Sequence, residues 1–373
     1  MKLRILEVIR QGEVGGGESH VIDLTLGLRR RHAVEPVVLA FTDGHMTELL
    51  REAGVACFVI NSHRAFDPRV FGRIEELVAG EHIDIIHAHG SRAASNMWAV
   101  AHCLHLPMVY TVHGWSFHAG QSPLAAWMRR QAERMLCRQA ARVVCVSQSN
   151  RQTGIDAFGL EADKSVVIEN GVNLQRFDPD APRPDLRPQL GFAPTDFVCL
   201  FMCRITAQKA PLDFVRAVAA AHGRDSRVRG LMVGQGDMDA EVEACIAREV
   251  PPGVIVRQPF RSDVPELLAM ADVFCLPSLW EGLSVAMLEA MAMRKAVVVT
   301  LTDGARDIIR HRHNALVVPP ADAGRMAEAI VEAATQPELC QRMGQRAAAL
   351  VRQRFDSDRV AEQVEQIYLD IAR

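Results

Sequence analysis

Several features are missing from this chain, and each absence excludes a class of protein. No uncharged apolar stretch approaches the roughly 20 residues that span a bilayer, so nothing reads as a membrane-crossing helix. No charge of one sign dominates: 42 Lys and Arg against 45 Asp and Glu give a formal net charge of -3, which argues against nucleic acid as a partner. Tandem repeats and low-complexity tracts are absent. So are a Gly-Lys-Ser/Thr phosphate loop and the Gly-x-Gly-x-x-Gly dinucleotide fingerprint. The nine cysteines are odd in number and scattered through apolar segments. They read as reduced thiols in a cytoplasm, not as a disulfide framework. Cys199 and Cys203 share one apparent strand without a second pair, which favours packing over zinc. The start, Met1-Lys2-Leu3-Arg4-Ile5-Leu6-Glu7, breaks its apolar residues with charges. It reads as a first strand and lacks the uninterrupted core of a signal peptide.

What is present is a globular composition, 49% hydrophobic and 23% charged, over 373 residues. That length exceeds one ordinary core and predicts two domains. Short apolar runs alternate with helical patterns throughout. Candidate strands are 3–9, 36–41, 55–60, 83–87, 108–112 and 143–146, then 197–202, 230–233, 254–256, 273–276, 296–300 and 315–318. Most are continuously apolar, as parallel strands covered on both faces are. Two doubly wound α/β sheets follow. Between 178 and 196 stand Pro179, Pro182, Pro184, Pro188 and Pro194, which resist helix and central strand alike. The expected division is therefore an N-terminal domain over 1–177, a linker over 178–196 and a C-terminal domain over 197–356. A last helix follows over 357–373, with Val360, Val364, Ile367 and Tyr368 at helical spacing and Ser357 as its cap.

The segment from Asp272 to Met293 carries the most chemistry. A strand leads through Pro277-Ser278-Leu279-Trp280-Glu281-Gly282-Leu283-Ser284 into a helix apolar on every face except at Glu289. Such a helix is buried, and a carboxylate inside it needs a partner. Glu281 stands eight positions earlier, at the helix's positive end. There the free N–H groups of Leu283 and Ser284 can hold an anion without a metal. Two carboxylates beside that cradle suit the hydroxyls of a ribose and a hexose. The plainer alternative makes Glu289 a buried ion-pair partner and Glu281 a solvated turn residue.

Arg204 and Lys209 follow the strand 197–202, where an α/β sheet places ligand contacts. Two cations there can neutralise a diphosphate, or simply be solvated loop charges. Gly15, Gly16 and Gly17 follow the first strand and open a helix. They allow close phosphate approach, or only a turn. His87 and His89 share one face of an extended segment, and His113 follows another strand. A three-histidine metal site is conceivable, but no carboxylate joins them at a recognisable ligand spacing. The favoured reading has His113 touching substrate while His87 and His89 shape the floor beneath it.

These motifs together resemble glycosyltransferase family 4, the retaining GT-B enzymes with a Glu-x7-Glu signature. The resemblance rests on Glu281 to Ala292, the early glycine loop, His113-Gly114 and Cys145-Val146-Ser147-Gln148-Ser149. It extends to Ile168-Glu169-Asn170-Gly171-Val172-Asn173 with Phe177, the pair Arg204 and Lys209, and Val233-Gly234-Gln235-Gly236-Asp237. It implies two Rossmann-like domains facing across a cleft that opens and closes on substrate. Glu289 would hold the donor ribose, and Glu281 the transferred sugar. Arg204 and Lys209 would bind the diphosphate, with backbone at Gly282, Leu283, Ser284 and Gly16. His113 would sit beside the donor sugar. No cofactor and no metal are expected, and the partners are a nucleotide diphosphate sugar and a glycan or lipid-linked acceptor. Two departures stand out: Asp303-Gly304-Ala305-Arg306-Asp307 where members often carry Gly-Gly-x-x-Glu, and Asn314-Ala315 in place of Asn-Gly.

The stretch Trp127 to Arg138 carries four arginines against Glu133, with Trp127, Met128, Met135 and Leu136 as its apolar residues. It reads either as an ordinary domain helix with a solvated basic face or as a helix lying on an anionic membrane. By resemblance, the expected location is cytoplasmic, with peripheral attachment to the inner membrane face. Other function classes stay open: a sugar-nucleotide epimerase of GT-B-like fold, and a non-catalytic sugar-nucleotide-binding protein.

Overall fold

A computed structural model describes residues 2–13, 15–118 and 120–373. The chain forms two compact units, Met1–Gly171 with Ser357–Arg373, and Val172–Asp356. The first unit holds β1 (Leu3–Ile9), β2 (Val34–Ala40), β3 (Ala56–Val59), β4 (Ile85–His89), β5 (Met108–Val112), β6 (Arg142–Cys145) and β7 (Ser165–Val167). They pair in parallel in the order β3-β2-β1-β4-β5-β6-β7. The second unit holds β8 (Phe197–Met202), β9 (Val228–Val233), β10 (Ile255–Gln258), β11 (Val273–Leu276), β12 (Ala296–Thr300) and β13 (Leu316–Val318). Their order is β10-β9-β8-β11-β12-β13, again parallel.

Both sheets are doubly wound. Strand order reverses beside β1 in one and beside β8 in the other, and ligands bind past the strand ends at such switch points. The continuous apolar runs explain the burial: helices cover both faces, so Leu6, Val8, Leu39 and Ile86 point into one layer while Ile5, Ile85 and Val109 point into the other. Each such side chain contributes roughly 1.5–3 kcal/mol by leaving water. Local signals mark the helix ends. Ser147 and Asp322 accept N–H bonds from Asn150 and Arg325 at 3.0 and 2.8 Å, and Gly159 (φ 72°) ends the helix Gln148–Phe158 in the left-handed region.

Several strand bounds shift by one or two residues, and the expected linker and helix cap differ as well. Residues 178–196, expected as a linker, belong to the second unit together with 172–177. Leu186, Leu190 and Phe192 are buried, and Arg183 and Arg187 pair with Glu266 and Asp272, each at 2.8 Å. The prolines stop regular structure without preventing packing. The short strand β7 carries too few residues to show a pattern. Ser357, expected as a cap, is the first residue of the helix Ser357–Ile371. That helix packs on Gly16–Arg31, where Gly27 leaves room: a Cβ there would come within 2.7 Å of the Ala361 Cβ.

Candidate active site

In the C-terminal unit, Arg204 and Lys209 follow β8, Glu281, Gly282, Leu283 and Ser284 follow β11, and Glu289 lies in the helix Val285–Ala292. Two glycines bring the loop after β8 close to its neighbour. A Cβ on Gly234 (φ 130°) would lie 2.2 Å from the Cys203 carbonyl oxygen, and one on Gly236 would lie 2.1 Å from that of Ile205. This close approach holds the backbone around Arg204, whose guanidinium has no carboxylate partner among the described residues. Lys209 lies at the end of a short 3-10 turn, Ala207–Lys209. Its ammonium forms an ion pair with Glu281, both side chains being nearly buried.

The pair is supported on several sides. Ser278 Oγ donates to Glu281 Oε1 at 2.8 Å, and Gln208 Nε2 reaches the Trp280 carbonyl at 2.8 Å. Leu279 N–H donates to the Gln208 carbonyl at 2.8 Å. The helix Val285–Ala292 begins directly afterwards, with Ser284 Oγ accepting from Met287 N–H at 3.3 Å. Gly282, Leu283, Ser284 and Glu289 are all buried. Gly304 packs on this turn: its N–H donates to the Gly282 carbonyl at 2.5 Å, and a Cβ there would come within 2.2 Å of the same oxygen. The segment that departs from the family pattern therefore touches the turn that carries Glu281. A pocket of about 150 Å³ opens here, lined by Ser278, Trp280, Glu281, Thr300, Asp303 and Arg306 among others.

In the N-terminal unit, Gly16 and Gly17 are the first residues of a 16-residue helix and Gly15 precedes it with extended backbone (φ -165°). None of the three needs the left-handed region. Gly17 leaves a gap beside His113, since a Cβ there would make ordinary contact at 3.7 Å. Glu18 already places a carboxylate in the positive first turn.

The histidines form one connected cluster that includes a carboxylate the sequence reading missed. Glu7 on β1 lies opposite His87 on β4 in the parallel register. Its Oε2 accepts from His89 Nε2 at 2.8 Å and lies 3.2 Å from His87 Nδ1. Its Oε1 accepts from the Tyr368 hydroxyl at 2.7 Å. His87 Nε2 bonds Thr111 Oγ1 at 2.7 Å, and His89 Nδ1 lies 3.2 Å from His113 Nε2. His20 packs its ring edge-on against His113 at 4.9 Å. Some 80 residues separate Glu7 from the histidines, so no local spacing shows the contact. The signal available was a glutamate inside a strand otherwise buried on both faces.

Burial disfavours the charged forms of His20, His89 and His113, which surround one carboxylate. Burial works to raise the Glu7 pKa, yet its interactions with His87 and its hydrogen bonds from His87 and His89 outweigh it and hold the carboxyl well below its usual range. Burial pushes His89 down to about 4, and pushes His20 and His113 well below the ordinary imidazole value. Two groups of side chains lie close enough together to share a metal ion: His20, His89 and His113 form one, and Glu7, His87 and His89 the other.

A second buried carboxylate, Glu133, orients the helix Pro123–Gln139. It accepts from Ser91 Oγ at 2.6 Å, from the Tyr110 hydroxyl at 2.8 Å and from Ser116 N–H at 3.1 Å. With Glu133 and Leu136 turned inward, Leu124, Trp127 and Met128 are left 68%, 57% and 58% exposed beside Arg129, Arg130 and Arg134.

Two doubly wound parallel sheets, each with polar side chains past its switch point, define a two-domain α/β protein of the GT-B fold. A family model for Glycosyltransferase Family 4 matches residues 14–176, and one for Glycosyl transferases group 1 matches residues 196–336. The chain is 28% identical over 317 residues to the putative glycosyltransferase EpsD of Bacillus subtilis, covering 81% of each. It is 24% identical over 339 residues to the UDP-Gal:alpha-D-GlcNAc-diphosphoundecaprenol alpha-1,3-galactosyltransferase of Escherichia coli, covering 88% of this chain and 87% of that one. Anabaena HepE in complex with UDP-glucose shares the fold with a TM-score of 0.86 at 24% identity, over 99% of this chain and 100% of that chain. The chain belongs to glycosyltransferase family 4 and is a glycosyltransferase.

Proposed function

We propose that the protein transfers a hexose from a UDP-sugar to a hydroxyl of a glycan or lipid-linked acceptor, with retention of configuration and without a metal. The observation that carries the reading is the Lys209–Glu281 pair at the start of the helix that holds Glu289. A carboxylate that lines a pocket and a cation paired with it suit a ligand that joins a diphosphate to a hydroxyl-rich sugar. Arg204 and Lys209 would take the diphosphate, helped by N–H groups at Gly282–Ser284 and at Gly16. Glu281 would turn to the sugar hydroxyls as Lys209 turns to phosphate, and Glu289 would hold the ribose. His113 would contact the transferred sugar. The C1–O bond to the diphosphate breaks while the acceptor oxygen bonds C1 on the same face, and the acceptor's proton passes to the leaving phosphate oxygen. Fixed charges at the leaving group then supply what Mg²⁺ supplies elsewhere. The uridine and the lipid-linked acceptor are proposed because HepE was solved with UDP-glucose and the Escherichia coli relative is named for UDP-Gal and a diphosphoundecaprenol substrate.

The exposed Trp127, Met128 and Leu124 beside a basic face support peripheral attachment to an anionic membrane. No helix is long and apolar enough to cross one. Sedimentation with phosphatidylglycerol vesicles is expected for the native protein and to be lost in Trp127→Ser/Arg130→Glu. Equal sedimentation of both would remove the membrane reading.

The test of transfer is an NMR time course with UDP-glucose in EDTA. Release of UDP together with α-configured product from an α-donor is expected. A β-product, or no turnover until a divalent metal is added, overturns the corresponding part.

A further inference from the structure

Two arginines stand at the switch point of the first sheet with no carboxylate to answer them. Arg10 follows β1 directly, and Arg92 lies in the first turn of the helix Ser91–Cys103 that follows β4. β1 and β4 are paired as far as Ile9 and His89, so the two residues emerge from neighbouring strand ends. We propose that Arg10 and Arg92 bind a phosphate or diphosphate group carried by the acceptor, at a site separate from that of the donor diphosphate. The proposal rests on the glycosyltransferase reading above and names the chemistry of its second substrate.

The arginines themselves point to an anion. Both are half-buried, and neither forms an ion pair among the described residues. The Arg10 guanidinium gives one N–H to the Gln11 carboxamide oxygen at 3.1 Å. Burial, and then the charge of Arg10, work against the charged form of Arg92. Two guanidinium groups partly withdrawn from water oppose each other, and an anion between them removes that opposition. The guanidinium fork also matches phosphate oxygens two at a time. Arg69, in the loop after β3, shows the contrast. Both oxygens of Asp67 take it up at 2.7 Å, so it is left with no charge to satisfy.

The backbone between the two arginines is open as well. Gly90 (φ 81°) turns the chain from β4 into the helix, and a Cβ there would meet nothing within 4 Å. The first helical turn has neither a side-chain cap nor an acidic residue, so its positive end is left to a ligand. One turn further on, the Asn96 carboxamide accepts from Asp67 N–H at 2.9 Å and donates to the Arg64 carbonyl at 3.0 Å. That brings Arg64, exposed and without an ion pair among the described residues, to the same helix. The donor diphosphate is assigned to Arg204 and Lys209 in the second unit. A second set of cations, in the first unit, calls for a second anionic group, and the acceptor is the other substrate.

The test uses the full chain saturated with UDP, which fills the donor diphosphate site, and inorganic pyrophosphate as the probe. Calorimetry should show pyrophosphate binding to the native protein, weakened at least about 10-fold in Arg10→Gln and in Arg92→Gln. UDP affinity should stay within about twofold of native in both variants. Pyrophosphate that does not bind the native protein, or that binds both variants equally well, overturns the proposal. A parallel loss of UDP affinity would give the pair to the donor and overturn the acceptor assignment. Melting in anion-poor buffer separates binding from packing: Arg92→Gln should melt no lower than native, and pyrophosphate should raise only the native midpoint. A lower midpoint for the variant would make Arg92 a packing residue. With UDP-glucose as donor, an alkyl hexosyl diphosphate should have at least about a 10-fold lower KM than the uncharged alkyl hexoside, and Arg92→Gln should erase the difference. Equal KM values in the native protein contradict the assignment. UDP that fails to bind at all counts against the donor reading, and pyrophosphate titrated alone into native and Arg92→Gln protein still decides the anion site.

Discussion

The two units place different chemistry past the ends of similar sheets. At the ends of β1, β4 and β5 the first unit gathers four buried or half-buried imidazoles around Glu7, of which His87 and His89 contact the carboxylate. Beyond β8 and β11 the second unit sets full charges against each other, Lys209 against Glu281, with Arg204 nearby in sequence and Glu289 buried one helix turn further on. Buried imidazoles suit uncharged hydroxyls, whereas paired charges suit a ligand that brings a charge of its own. The same sheet topology can thus carry either specialisation, because the strand ends leave side-chain identity open.

This contrast can be broken experimentally, beginning with its largest element. Lys209→Ala should lower initial transfer rates roughly 100- to 1,000-fold, the cost of removing one preorganised charge from a developing anion. The solvent-exposed Arg129→Ala in the first unit should leave them near native. A comparable loss in both would show that bulk charge matters more than placement. Gly236→Val should destabilise the second unit by about 1–3 kcal/mol, because its Cβ would sit 2.1 Å from the Ile205 carbonyl oxygen. A melting curve for the variant that overlays the native one would contradict that close approach.

Acid should separate the units as well. His89, His20 and His113 have folded pKa values depressed below their unfolded value of about 6.5, His89 to about 4. The unfolded chain then binds more protons, so their contribution is complete above pH 6.5 and is lost as pH falls toward 4. Glu7, also depressed, adds a further loss below its ordinary range of about 4.5. Hydrogen exchange should find β1, β4 and β5 opening at higher pH than β8 and β11. Simultaneous opening would remove the electrostatic distinction. The smallest effect concerns Arg30→Ala, which removes a solvent-exposed pair with Asp358. It should cost less than about 1 kcal/mol, since Val364 and Tyr368 hold the last helix through the core.

Much of the fold was legible because its strands are apolar on both faces and end at polar, glycine-containing turns. The runs 3–9, 108–112, 197–202, 273–276 and 296–300 coincide with strands at both ends. Glu289 was legible as the one charged residue in an otherwise apolar helix. Glu7 was not, because its partners arrive through the pairing of β1 with β4, and strand register across 80 residues leaves no local pattern. Glu133 was hidden for a related reason. Among four arginines it looked like a solvated charge, while the groups that bury it come from Ser91, Tyr110 and Ser116. The ion pair between Lys209 and Glu281 joins two motifs that sequence reading assigned to different parts of a ligand.

The most direct test of the account is calorimetric titration of UDP and UDP-glucose into the native protein, Lys209→Ala and Glu289→Ala, all in EDTA. Native binding without added metal, weakened at least about 10-fold in each variant (1.4 kcal/mol), is the predicted result. Binding that survives both substitutions unchanged, or that appears only with a divalent metal, would contradict it.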